Sequence, residues 1–179
     1  MERTVAQQKA DIVARYGPWT AHNIQLEGDL YTIGNELTYD ALKLRRVTQI
    51  VADISTTPIA DLRILDLACL EGQYAVEFAR RRARVVAIEG REANLEKARV
   101  AQRAHDLRNL ELHLDDVRNL SEAKYGRFDV VLCLGILYHL DVPDVFTFVR
   151  RVAEVCQGFA VIDTHVSLSA TQSVPFEAR

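Results

Sequence analysis

The amino-acid sequence predicts an α/β fold built on a doubly wound parallel sheet. From residue 63 onward, five short apolar runs alternate with helical stretches, which is the pattern of βαβ units. The runs are hydrophobic almost throughout, so helices should cover both faces of the sheet. A length of 179 residues, 49% of them hydrophobic and 26% charged, suits one domain with a substantial core.

The predicted N-terminal unit, residues 1–37, consists of a helix and a small β-hairpin. Spaced apolar side chains over 2–16, followed by Gly17 and Pro18, predict the helix. Alternating residues on both sides of a Gly-Asp turn predict the hairpin over 22–33.

This unit is expected to serve as a lid or cap. Trp19, His22 and Tyr31 are the candidates for closing a ligand site, because aromatic and imidazole side chains suit ligand contact. The alternative is that they anchor the hairpin to the core.

The core is predicted over residues 38–165. A helix over 38–55 precedes the alternating pattern, and Asp141 as N-cap with Pro143 in the first turn announces the last helix. The polar stretch 117–125 is too short for a full helix. The predicted strands are 63–68, 84–89, 110–115, 128–134 and 159–164, and the helices between them are 72–82, 91–106 and 143–156.

Composition narrows the classes of partner. The net charge is −3 and the isoelectric point about 6.0, so no basic field attracts nucleic acid or an anionic membrane. No apolar run is long enough to span a bilayer. The three widely spaced cysteines predict reduced core thiols and a cytoplasmic protein. The sequence has no residue spacing typical of metal ligands, so no metal site is predicted.

The loop after the first predicted sheet strand runs from Asp66 to Gly72 and argues against a dinucleotide. Such a site requires a glycine where this chain has Leu70, and Glu71 would repel phosphate at the helix N-terminus. Acids in the loop instead favour a cofactor that carries an amino group and a sulfonium, such as S-adenosylmethionine, beside Asp66 and Glu71.

Two further strand ends carry acids. Glu89 could accept hydrogen bonds from both ribose hydroxyls, and Asp115 or Asp116 could accept one from the adenine amino group. The alternatives are a surface acid for Glu89 and a helix cap for Asp115 or Asp116.

Four runs of the sequence, in their order and spacing, resemble the motifs of class I S-adenosylmethionine-dependent methyltransferases. They are ILDLACLEGQYAVEFA, VVAIEGRE, LHLDDVRNL and FDVVLCLGILYHL. The resemblance covers about residues 38–165. It implies a Rossmann-like sheet of order 3-2-1-4-5 with two further strands, and methyl transfer to a second substrate lying over the sulfonium.

The resemblance also implies roles for residues. Ala68 and Leu70 stand where the family usually has glycines, which alters the close approach of the loop backbone. The implied contacts are Asp66, Ala68, Cys69 and Gly72 for methionine, Glu89 for ribose, Asp116 and Val117 for adenine, and Leu134 and Gly135 beneath the methionine; Leu70, Gly90 and Asp115 complete the predicted cofactor set.

The run after the fourth predicted sheet strand supplies the candidates for chemistry. The imidazole of His139 could serve as a general base, and Tyr138 could orient the acceptor. The alternative is that His139 caps a turn and Tyr138 fills the pocket wall.

We expect methyl transfer to an oxygen or nitrogen of a small molecule. The alternatives are a transfer-RNA-modifying methyl- or carboxymethyltransferase, which the run GILYH resembles less specifically, and a cofactor-binding module without catalysis.

Residues 166–179 are too few for the two further strands of the family. The chain is therefore expected to be a truncated portion of a longer enzyme, or a minimal variant that closes its edge by dimerisation, and to have little or no activity by itself. Strand 159–164 would be left as an edge open to homodimer formation.

Overall fold

The computed structural model describes residues 3–34 and 39–166. Five parallel strands form the central sheet: β3 (Arg63–Leu67), β4 (Arg84–Glu89), β5 (Leu110–Leu114), β6 (Phe128–Leu134) and β7 (Cys156–Asp163). Their order across the sheet is β5-β4-β3-β6-β7. This order is the predicted 3-2-1-4-5. Because the chain turns back at β3 to build the other half from β6, the switch point lies between these two strands.

Helices cover both faces of the sheet, as the hydrophobic strands predicted. The helices are α1 (Val5–Tyr16), α2 (Tyr39–Ile54), α3 (Gln73–Arg80), α4 (Glu92–Ala104), α5 (Glu122–Tyr125) and α6 (Asp144–Val155). One face packs Ile64 and Val130 with the helices α3 and α4, and the other packs Leu65 and Val131 against Phe148 of α6. Residues 117–125 hold a single 3-10 turn and the one-turn helix α5, as their polarity indicated.

The start of α6 corrects one prediction. Pro143, not Asp141, occupies the N-cap position, and the helix begins at Asp144. Asp141 contributes its backbone oxygen instead, which accepts the N–H of Val145 at 3.0 Å. Proline has no backbone N–H to satisfy, so it tolerates the helix start without a side-chain cap.

The N-terminal unit packs on the sheet domain. α1 lies against α4, and β1 (Gln25–Glu27) pairs with β2 (Leu30–Tyr31) in the predicted antiparallel hairpin. Trp19 is only 4% exposed and belongs to the same apolar cluster as Ile24 and Phe78. Trp19 therefore anchors the unit, while Tyr31 borders a groove away from the strand ends.

β7 lies at the edge of the sheet. Among the described residues it pairs with β6 alone, and Ile162 on this strand is 50% exposed. In the described ranges, no helix combines the length and apolarity needed to span a membrane. Of the predicted C-terminal tail, residues 166–179, only Val166 belongs to the described residues.

Candidate active site

A cleft of about 630 Å³ opens where β3, β4 and β6 end, and a cavity of about 320 Å³ adjoins it. In open α/β sheets, this carboxyl edge at the switch point is where ligands bind. The structure brings most predicted site residues here. Asp66, Ala68, Cys69, Leu70, Glu89, Leu134, Gly135, Tyr138 and His139 line the larger cavity, and Gly90, Asp116 and Val117 line the smaller one.

The loop after β3 has a left-handed backbone at two residues that are not glycine. Ala68 has φ 54° and Leu70 has φ 52°, which costs about 1–2 kcal/mol at each residue that bears a side chain. These are the two positions at which related enzymes are expected to carry glycine. The loop therefore keeps the backbone shape without the glycines, with strain stored beside the cleft.

Glu89 ends β4 and is 5% exposed, so it is not a surface acid. Its carboxylate accepts the backbone N–H groups of Leu70 and Arg91, both at 2.9 Å, and the side-chain amide of Asn94 at 3.2 Å. A carboxylate has about four lone-pair sites. Three protein donors thus orient the group and leave it capacity for a ligand hydroxyl.

Asp66 lies on β3 and is 2% exposed. Burial raises the pKa of Asp66 to about 7; the N–H of Ala75, bonded to the carboxylate at 3.0 Å, opposes this rise, and the charge of Glu89 adds to it. A positively charged ligand group nearby would favour the ionised form. The cleft thus presents an acid whose charge responds to its occupant.

Glu71 does not face the cleft, so its predicted role beside the cofactor is wrong. Its side chain is fully buried and accepts the backbone N–H groups of Thr20, Ala21 and His22 at 2.9, 3.2 and 3.0 Å. Burial alone would raise the pKa of Glu71, but these bonds outweigh it and lower the pKa. A short loop exposes successive side chains to different sides, which residue type alone does not reveal.

Gly72 also lies outside the residues that line the cleft. It has φ 85°, and a Cβ built on it would lie 2.7 Å from the Cβ of Ala98. Its lack of a side chain allows the start of α3 to pack closely against α4. Gly72 therefore shapes the loop and does not line the site.

Asp115 is likewise absent from both cavity walls. Its carboxylate accepts hydrogen bonds from Lys124, Tyr125, Asn119 and the N–H of Asp116. Burial would raise the pKa of Asp115, but these donors outweigh it and hold the pKa well below its usual range. The N-cap of the turn that follows is Asp116, so neither the capping alternative nor the predicted adenine contact describes Asp115.

Asp116 combines both readings. It lines the smaller cavity, and its carboxylate caps the following turn by accepting the N–H of Arg118 at 2.8 Å. The Arg118 guanidinium also pairs with it at 2.6 Å. Asp116 thus reaches the ligand region with its carboxylate already engaged.

Tyr138 and His139 stand in a 3-10 turn after β6. Tyr138 is 47% exposed, its ring stacks on that of His165 with centroids 4.2 Å apart, and the ring of His139 lies 4.5 Å away. A Cβ at Gly135, which has φ 89°, would lie 3.1 Å from the Tyr138 hydroxyl, so glycine makes room for this ring. His139 is exposed and borders both cavities, where an acceptor could reach it.

Residue patterns missed several cleft residues. Tyr74, Arg91, Asn94 and Ile136 line the larger cavity but were not predicted. Tyr74 and Asn94 lie in the first turn of the helix that follows each of two strands. This position faces the carboxyl edge of the sheet, so it was a usable signal.

Comparisons with known proteins agree with this arrangement. A family model described as a methyltransferase domain matches residues 64–158, more than half of the chain. The ubiquinone biosynthesis O-methyltransferase of Acinetobacter baumannii (strain AYE) is 31% identical over 117 residues, 65% of this chain and 47% of that protein. The ubiquinone biosynthesis O-methyltransferase of Neisseria meningitidis serogroup A / serotype 4A (strain DSM 15465 / Z2491) is 36% identical over 94 residues, which is 52% of this chain and 39% of that protein. The chain thus spans about half the length, or less, of these curated relatives.

Solved structures give the same answer. The N-terminal domain of EvdMO1 with S-adenosylhomocysteine bound matches with a TM-score of 0.67 and 29% identity, over 86% of this chain and 63% of that one. The same domain in the presence of S-adenosylhomocysteine and D-fucose matches with a TM-score of 0.67 and 28% identity, over 86% and 62%. Sequence motifs, sheet order, cleft position and family match converge: this chain belongs to the class I S-adenosylmethionine-dependent methyltransferases.

Proposed function

We propose that this chain binds S-adenosylmethionine in the cleft and transfers its methyl group to an oxygen of a small organic acceptor. One observation carries the proposal: two buried acids, Asp66 and Glu89, line the same cleft as an exposed tyrosine–histidine pair. The acids suit a cofactor with an amino group and hydroxyls, and the pair suits a second substrate.

The lining fits this cofactor. Glu89 retains capacity to accept a ribose hydroxyl, and Asp66 would be ionised by a nearby ammonium group. Val117, which is buried at the smaller cavity, offers an apolar contact for the adenine ring. When bound, S-adenosylmethionine supplies an electrophilic methyl group on a positively charged sulfur.

The chain's own contribution is positioning and proton removal. Bound S-adenosylmethionine would give up its methyl group to the acceptor oxygen as the methyl–sulfur bond breaks, and would leave as S-adenosylhomocysteine. A ring nitrogen of His139 takes the proton that the acceptor hydroxyl loses. Tyr138, stacked on His165, orients the acceptor. Alignment of nucleophile and methyl group supplies much of the rate.

Oxygen is the favoured acceptor atom because the curated relatives are O-methyltransferases. The EvdMO1 domain was solved in the presence of D-fucose, a hydroxylated sugar. The names of the relatives and the D-fucose of that structure support a hydroxylated small molecule as the methyl acceptor, either an aromatic compound or a sugar.

Calorimetry with S-adenosylhomocysteine tests cofactor binding first. The protein is then incubated with S-adenosylmethionine and each member of a panel of catechols and 6-deoxyhexoses. Release of S-adenosylhomocysteine measures the methyl transfer. Turnover with any panel member that falls on the order of 100-fold in His139→Ala supports the proposal. Tight binding of NAD, or no binding of S-adenosylhomocysteine, would contradict it.

Within residues 3–34 and 39–166, β7 pairs with a strand on one side alone, which supports a further proposal, that two copies associate through this edge. Light scattering should report a dimer, and a charge at the exposed Ile162 (Ile162→Lys) should shift it to monomer. A wild-type monomer contradicts this idea.

A cytoplasmic location is proposed because Cys69, Cys133 and Cys156 are free thiols. Fractionation of the native host should find the protein in the cytoplasmic fraction, whereas recovery outside the cell contradicts this location.

A further inference from the structure

Residues 18–22, here called the N-terminal strap, are hydrogen-bonded to the side chains of Glu71 and Lys97 in the core. The fully buried Glu71 accepts three consecutive backbone N–H groups of the strap, those of Thr20, Ala21 and His22. Glu71 itself belongs to the loop that follows β3, next to Leu70 in the cleft wall. The strap and this loop are therefore held together as one unit.

Lys97 completes the arrangement from α4. Its ammonium lies 3.1 Å from the Glu71 carboxylate and donates to the backbone oxygen of Pro18 at 2.6 Å. Both side chains are buried, so each charge depends on the other and on the surrounding hydrogen bonds. Such a pair is weak evidence for stability by itself, but here its hydrogen bonds join the loop after β3, the strap and α4.

The consequence reaches the cleft through His22. This buried residue lines the larger cavity, and its Nδ1 accepts the N–H of Gln73 at 3.2 Å. Its ring meets that of Tyr74, another cleft residue, edge-on with centroids 6.0 Å apart. The strap thus builds part of the cleft wall beside the start of α3.

We propose that Glu71 is a positioning residue: through the strap it holds His22 in the cleft wall and so sets the affinity of the site for the cofactor. This inference rests on the proposed function. Glu71 and Lys97 lie outside the residues that line the cavities with His139, so loss of their ion pair should raise KM for S-adenosylmethionine and leave kcat at saturation unchanged.

Four variants test the role. Glu71→Gln removes the charge, and Glu71→Gln combined with Lys97→Gln avoids a lone buried ammonium if the single variant fails to fold. His22→Ala spares the ion pair. Glu77→Gln is the matched control, because Glu77 also pairs with a cation, Arg81 at 2.8 Å, outside the cleft wall.

Hydrogen exchange at the amides of residues 20–22 reports on the strap, as does emission of Trp19, the one tryptophan of the chain. Calorimetry reports on S-adenosylhomocysteine. In both Glu71 variants the amides of residues 20–22 should exchange faster than in wild type. These two variants and His22→Ala should bind S-adenosylhomocysteine at least about tenfold more weakly, which corresponds to about 1.4 kcal/mol. Glu77→Gln should match wild type.

Unchanged exchange, or unchanged affinity in the folded variants, would overturn the inference. Failure of the wild-type chain to bind S-adenosylhomocysteine is a different result, since it overturns the proposed function and this role with it.

Discussion

The backbone N–H of Leu70 donates to the carboxylate of Glu89 at 2.9 Å, which joins the loop after β3 to the end of β4. Leu70 is in the left-handed conformation, and this bond helps to hold it there. Glu89 consequently has two functions, since it fixes the loop and presents an acceptor to the cleft.

Glu89→Ala should weaken binding of S-adenosylhomocysteine by about 1–3 kcal/mol, because ligand hydroxyls and the Leu70 N–H lose their acceptor. Calorimetry measures the change. Glu111→Ala, at an exposed acid on β5 outside both cavities, is the control and should bind as wild type. Equal affinity in Glu89→Ala would exclude the ribose role.

Gly72→Ala should destabilise the fold by roughly 2–4 kcal/mol, because a left-handed residue gains a side chain that meets Ala98. Urea unfolding measures the loss. Gly28→Ala is the control, because Gly28 has φ 52° with open space around it, so only the backbone cost applies. Adding Ala98→Gly should recover part of the loss, and no recovery would contradict the packing argument.

His139→Ala should lower kcat on the order of 100-fold if the imidazole takes the acceptor proton, with affinity for S-adenosylhomocysteine unchanged. Steady-state kinetics with the acceptor found in the panel tests it. His113→Ala, at a histidine outside both cavities, should keep full activity. A kcat that does not vary between about pH 6 and 9 would exclude the base role.

Cofactor affinity should rise with pH through about 7, the pKa that burial gives Asp66. A bound ammonium stabilises the carboxylate and lowers its pKa in the complex, so binding releases a proton and is favoured as pH rises. The dissociation constant should fall by up to about tenfold per pH unit below 7 and level off above it. Calorimetry in buffers of different ionisation enthalpy detects the proton, and Asp66→Asn should lose both effects.

Asp115→Ala should lower the free energy of unfolding by roughly 1–3 kcal/mol, since four donors lose their acceptor. Its affinity for S-adenosylhomocysteine should stay close to that of wild type. Asp53→Ala, at an exposed acid on α2, is the control for stability. A selective loss of affinity with full stability would restore the adenine role to Asp115.

Short-range patterns were sufficient for the fold and the general place of the site. The apolar runs placed all five sheet strands because buried parallel strands require continuous hydrophobic residues. The acid that ends β4 could be placed in the cleft wall from sequence, because the carboxyl edge of such a sheet is where ligands bind. Likewise, Tyr138 and His139 could be located from the strand that precedes them.

Which way each acid points was decided only by tertiary structure. Glu71 and Asp66 lie in the same stretch of chain, yet one binds the strap and the other lines the cleft. Asp115 and Asp116 are adjacent in sequence. Asp115 accepts hydrogen bonds from Lys124 and Tyr125, whereas Asp116 borders the smaller cavity. Sequence alone determined the strands of the sheet and its ligand-binding edge, because these follow from local hydrophobic patterning, and the resemblance to the methyltransferase family supplied the strand order. The partner of each carboxylate depends on groups many residues away, such as Thr20 for Glu71, and only the folded chain brings them into contact.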